Sequence, residues 1–260
     1  MSDDLTGKLL EFANFLADEA AQISHKYFRQ HIVIDSKDNK SPVTIADREI
    51  ELRLRELIKQ HYPSHGIIGE EFANQETQAE FCWVLDPIDG TVAFSTGKPT
   101  FTTLVALLRN GAPLLSVIDQ AISGERFSGV ANYGALLNKT KLQTSLQTEV
   151  ANVRLNATTP LMFTTAYERE AFERVRSKVR LTAFGGDAYA FGLLAAGHID
   201  VIMEAELQYY DIAALMPVIE GAGGVISDWQ GKALNREFNG QVLAAANTEL
   251  HNKILQIINS

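Results

Sequence analysis

The stretch FCWVLDPIDGTVAF, residues 81–94, sets two opposed chemistries side by side. Trp83-Val84-Leu85 has the composition of a buried strand, yet the run ends in Asp86 and Asp89, with Pro87 between them and Gly90 after them. One reading is an Asx-turn that terminates the strand. The other is a ligand site, in which proline bends the chain, glycine lets backbone approach a bound group, and two acids present several oxygens to one point. A second acidic pair, Glu70-Glu71, follows another short apolar run in HGIIGEE, residues 65–71, and favours the ligand reading. Hard divalent ions such as Mg²⁺ take oxygen ligands and keep several waters, so one or two carboxylates per ion suffice. Three or four acids converging at strand ends can therefore hold two ions, an arrangement suited to phosphoryl transfer.

The composition agrees with such a site. At 260 residues, 46% hydrophobic and 21% charged, the chain can bury one large core or two closely packed halves. A formal net charge of −9 argues against gripping a nucleic-acid backbone or an anionic membrane, since both need clustered Lys and Arg. An anionic small substrate is still compatible, given cations supplied locally by a carboxylate-held metal. The single cysteine, Cys82, allows neither an intrachain disulfide nor a thiolate metal cage, and the acidic start MSDDLTGKLL does not resemble a signal peptide. No apolar run reaches the roughly 18 residues of a membrane span. A cytoplasmic protein is expected.

Apolar residues at Leu9, Phe12, Phe15, Leu16, Ala20 and Ile23 predict an amphipathic helix over 5–28. A second helix opens at Thr44, with Asp47 three residues on as a capping box, and closes near Pro63. The period then changes to that of strands around an Asn110-Gly111 turn, with a third strand at GERFSGVA, residues 124–131. The second half alternates strand and helix: strands at 152–158, 179–184, 200–204 and 223–228, helices at 168–177, 187–196, 211–221 and 248–258. A loose boundary near 140–150 divides one domain into two lobes, about 1–145 and 146–260.

DPIDGTVAF from Asp86, GEE from Gly69 and YDIAALMPVIEGAGG from Tyr210 together resemble the inositol monophosphatase family of Mg²⁺-dependent phosphomonoesterases, in order and over nearly the whole chain. The resemblance implies an α+β or α/β fold, a layered αβαβα sandwich of two closely packed lobes, and commonly a homodimer. It implies two or three Mg²⁺ held by the carboxylates of Glu70, Asp86, Asp89 and Asp211 and the carbonyl of Ile88. It also implies that Thr91 and Asp47, with Glu70, orient the attacking water, Asp47 acting as base. The N–H groups of Gly90 and Thr91 are candidates to cradle the phosphate. Bland alternatives stand beside these roles: a capping box for Thr44 and Asp47, an N-cap for Asp211 and a solvated surface position for Glu71.

The substrate is a small phosphate monoester in this family, and GGDAYAFGLLAAG, residues 185–197, bears on which one. Where inositol phosphatases usually carry a small Ser or Thr, this chain has Asp187, and the surrounding sequence resembles the histidinol-phosphate phosphatase branch. Histidinol phosphate carries an ammonium beside its phosphate-bearing carbon, which an acid at 187 would pair. Glu204 matches a substrate-contacting acid of the family. The alternatives are N-capping for Asp187 and a surface strand end for Glu204. At the level of function they are an inositol, sugar or nucleotide phosphate substrate, or a catalytically silent binding protein.

Overall fold

The computed structural model describes residues 3–31, 34–36 and 42–260. Helix α1 (Asp3–Tyr27) precedes a short antiparallel ribbon, β1 (Ile34–Ser36) and β2 (Pro42–Thr44), which feeds α2 (Ile45–His61). The first large sheet holds β3 (Gly66–Gly69) and β4 (Phe81–Asp89), which run parallel. After the short α3 (Thr91–Ser95) it continues as an antiparallel meander of β5 (Thr102–Arg109), β6 (Ala112–Gln120), β7 (Glu125–Val130), β8 (Gly134–Leu137) and β9 (Thr140–Lys141). The β5–β6 hairpin turns on Asn110 and Gly111 at φ 51° and 82°, the left-handed pair that a two-residue hairpin loop of this type needs. Strands β8 and β9 were not foreseen: they are four and two residues long and carry little periodicity.

The second sheet collects β10 (Arg154–Ala157), β11 (Leu181–Phe184) and β12 (Val201–Glu204), with β13 (Val225–Ser227) and β14 (Val242–Ala245), in the order β11-β10-β12-β14-β13. Strands β10, β11 and β12 are parallel, and β14 runs antiparallel to both its neighbours. Helices α4 (Ala166–Arg176), α5 (Asp187–Ala195), α6 (Tyr209–Ile212), α7 (Leu215–Gly221) and α8 (Thr248–Ile258) complete the chain. Strand β14 escapes sequence reading because all four of its residues are buried, so nothing alternates, and Ala244-Ala245 favours helix locally. The helix expected over 211–221 begins instead at Tyr209 and breaks at Ala213–Ala214. Pro217 has no N–H to donate to Ala213, and it falls in the first turn of a new helix, where that donor is not needed.

Three apolar clusters define five layers. Leu9, Leu16, Ile50, Leu54 and Ile58 of α1 and α2 pack on Ile67, Trp83, Leu85 and Val105, one face of the first sheet. Its other face, through Cys82, Val84, Leu104 and Ile118, meets Phe191, Leu194, Leu215 and Ile219 of α5 and α7, which also cover Ile202 and Ala244 of the second sheet. Leu155, Met203, Leu243, Phe172, Leu250 and Ile254 join the far face of that sheet to α4 and α8. The order is αβαβα, as expected. Among the described residues no helix is long and apolar enough to cross a membrane.

Candidate active site

A strand alternates sides with period 2, so in regular extension Asp86 and Asp89, three apart, would point to opposite faces of β4. They do not, because the β4–β5 register shifts between them. This bulge carries Pro87 and Ile88 out of the ladder, Thr103 Oγ1 donates to the Pro87 carbonyl at 2.8 Å, and both acids turn to one side. Carboxylate oxygens of Asp86, Asp89 and Asp211 lie within 4.8 Å of one another. Asp86 is 2% exposed, and its Oδ1 has no hydrogen-bond donor among the described residues. Burial, then the charges of Glu70, Asp89 and Asp211, push its carboxyl well above the usual range. Burial, then Asp187 and Asp211, do the same to Asp89, although Asp89 Oδ2 accepts the Ala188 N–H at 2.6 Å. An all-oxygen cluster with an orphaned buried acceptor and mutually repelling acids fits a hard divalent cation.

Capping boxes hold two of the acids, one of them as expected and the other from a different position. Thr44 caps α2, and Asp47 Oδ2 accepts from the Thr44 N–H at 2.9 Å and from its hydroxyl. Asp47 Oδ1 instead faces Thr91, whose Oγ1 lies 3.3 Å away and 3.2 Å from the Ile88 carbonyl. Burial raises the Asp47 pKa, opposed by the Thr44 bonds and assisted by Glu71. Glu71 is thus half-buried beside Asp47 and is not a freely solvated acid. Asp211 is not an N-cap: Gln208 is, and Asp211 sits at the third helical position with Oδ2 accepting the Gln208 N–H at 2.6 Å.

On the other side of Asp89 stand Gly90, Asp187 and Glu204. Gly90 opens α3 at φ 83°, and a β-carbon there would meet Asp187 Cγ at 2.9 Å, so glycine serves both the turn and the approach. Asp187 is the first residue of α5, after the cap Gly186, at φ 45°, so it is not the N-cap. Burial lifts its carboxyl to about 6, with Lys98 opposing. Glu204 is buried, not a surface strand end: its Oε1 accepts the Thr158 N–H at 3.0 Å and hydroxyl at 2.7 Å, and burial takes its pKa to about 7. The sequence reading missed Thr158 and Tyr210. The latter's hydroxyl is held above its ordinary pKa by burial and then by Asp211, Glu70 and Asp86. Tyr210 adjoins the recognised motif acid, which was the available signal.

The profile of the inositol monophosphatase family matches residues 6–260, and the chain belongs to that family of phosphatases. It is 42% identical over 267 residues to the chloroplastic bifunctional phosphatase IMPL2 of Arabidopsis thaliana, covering 98% of this chain and 76% of that protein. It is 30% identical over 259 residues to a histidinol-phosphatase of Chlorobaculum parvum, covering 96% of each. An inositol monophosphatase from Zymomonas mobilis superposes with a TM-score of 0.90 at 39% identity, over 98% of both chains.

Proposed function

We propose that the protein is a Mg²⁺-dependent phosphatase that hydrolyses histidinol phosphate to histidinol and phosphate, a step of histidine biosynthesis. The observation that carries the substrate reading is the pair of sequestered acids, Asp187 and Glu204, placed beside Asp89 where an ammonium can neutralise them. The 30% identity to a histidinol-phosphatase supports it. A second reading, inositol 1-phosphate, is favoured by the likeness to the Zymomonas enzyme. In the first reading the protein works in the cytoplasm, as a homodimer of single domains with lobes of about 1–145 and 146–260.

Glu70, Asp86, Asp89, Asp211 and the Ile88 carbonyl are the residues that would hold two or three Mg²⁺. Bound there, Mg²⁺ supplies positive charge for the phosphate oxygens and lowers the pKa of water beside it. Gly90 and Thr91 offer N–H groups in the first turn of α3, where no intrahelical acceptor exists. Thr91 Oγ1 donates toward Asp47 or Ile88, which leaves its lone pairs to accept a hydrogen bond from the attacking water. As the water oxygen bonds to phosphorus, its proton passes to Asp47 Oδ1, Oδ2 being engaged by Thr44. The bond from phosphorus to the alcohol oxygen breaks, and the alcohol leaves protonated by solvent.

Substrate choice is tested at Asp187. A charge-assisted hydrogen bond contributes about 1.5–3 kcal/mol, or roughly 10- to 150-fold. Asp187→Ser is expected to lower kcat/KM for histidinol phosphate by that factor while leaving inositol 1-phosphate hydrolysis unchanged or slightly faster. Equal loss on both substrates would assign Asp187 to the fold or the metals.

Asp89→Asn keeps an acceptor for the Ala188 N–H but removes a charge from the cluster. Turnover is expected to fall by roughly 100-fold or more. The melting temperature of the chelator-treated protein should hold or rise, because repulsion from Asp187 and Asp211 is relieved. Near-normal turnover would return Asp89 to the role of strand terminator.

A further inference from the structure

Helix α2 carries Asp47 in its first turn, and residues 51 and 55 follow at spacings of four, on the same face. Glu51 is fully buried and Arg55 nearly so, with Arg55 Nε donating to Glu51 Oε1 at 2.7 Å. Withdrawing an ion pair from water carries a desolvation cost that an apolar pair lacks, so stability alone does not account for this one. Its remaining bonds all reach one short segment. Glu51 Oε2 accepts the Glu71 N–H at 2.7 Å, and Oε1 accepts the Phe72 N–H at 3.2 Å. The Arg55 guanidinium donates to the Phe72 carbonyl at 3.0 Å and the Ala73 carbonyl at 3.1 Å. On the near side of Glu70, a β-carbon at Gly69 would lie 2.0 Å from Glu51 Oε1 and 2.6 Å from an Arg55 nitrogen, so the pair presses directly against that backbone.

We infer that Glu51 and Arg55 are positioning residues that fix the Glu70–Glu71 turn, so that one stripe of α2 sets both the base Asp47 and the metal ligand Glu70. The inference rests on the metal-dependent reading above. A loop on its own would hold Glu70 loosely, since an irregular segment samples many conformations. Bracketing it from residue 69 to residue 73 with a buried charged clamp removes that freedom before the metal arrives. The distance between base and ligand then becomes a property of a helix.

The test is Mn²⁺ titration by calorimetry into chelator-stripped wild type, Glu51→Gln, Arg55→Lys and Leu54→Ala, with the Mg²⁺ midpoint of phosphatase activity measured alongside. Leu54 is buried in the same helix but faces the apolar core, so its truncation destabilises without touching the turn. Glu51→Gln turns an amide N–H toward a backbone N–H, and its Mn²⁺ Kd and Mg²⁺ midpoint are expected to rise about 10- to 100-fold, the range for losing a partner of a metal ligand. Most of kcat should return at saturating Mg²⁺. Arg55→Lys, which keeps the charge but cannot span two carbonyls, should shift both in the same direction by less. Leu54→Ala should lower the melting temperature and leave both midpoints in place. An unchanged Kd in Glu51→Gln, or an equal rise in Leu54→Ala, overturns the inference. If Glu51→Gln does not fold, Arg55→Lys decides alone, an unchanged Kd again overturning it. Wild type that binds no Mn²⁺ and needs no Mg²⁺ refutes the proposed function itself.

Discussion

Phosphatase activity is expected to fall to background when the protein is stripped with EDTA, to return with Mg²⁺, and to be inhibited by excess Ca²⁺. The reason lies in the charge of the cluster. Asp86, Asp89 and Asp211 bring oxygens within 4.8 Å of one another, with Glu70 acting on Asp86, and among the described residues Asp86 Oδ1 has no donor. Without a cation these acids repel each other and a phosphate ester alike in sign. Calcium takes more ligands at longer, looser distances, so it fills the site while misplacing the water. The same measurement has a stability arm. A ligand that binds only the folded state at 100 times its Kd adds about 2.7 kcal/mol, so Mg²⁺ should raise the melting temperature of the stripped protein. Full activity in chelator would end the metal mechanism.

Asp47→Asn is expected to slow turnover by about 100- to 10,000-fold while the protein stays folded. The two oxygens of Asp47 do separate work, Oδ2 closing the capping box with Thr44 and Oδ1 facing Thr91. Asparagine can keep its carbonyl oxygen on the Thr44 N–H, so most of the cap survives, but its amide cannot take a proton from water. Burial already holds the native carboxyl above its ordinary range, which makes it a stronger base than a solvated aspartate. Unchanged turnover with a lowered melting temperature would leave Asp47 as a cap and nothing more.

Much of this molecule was legible in one dimension because its signals are local. The Thr44–Asp47 capping box, the Asn110-Gly111 hairpin and α8 at 248–258 each depend on residues within a few positions, and each is where the residues predict. Strand β14 was not, because a central strand buried on both faces has no alternation to read. The break before α7 was not, because Pro217 only reveals its effect once the helix register is known. Among the candidate site residues, Glu204 and Asp187 were named by position, but a surface strand end and an N-cap stayed open for them until the fold was known, since burial is a property of what packs around a side chain.

By itself the sequence named the helices and most strands through periodicity, and the αβαβα class and the set of acids through motifs that resemble a known family, since both kinds of signal are written in the order of residues along the chain. Only the tertiary structure decided that Asp86 and Asp89 face the same way, because a period-2 strand separates them and a bulge against β5 reunites them. It also decided which oxygen of Asp47 caps and which faces Thr91. And it disclosed Glu51 and Arg55, whose partners at 71–73 lie some twenty residues away and meet them only when β3 packs beside α2.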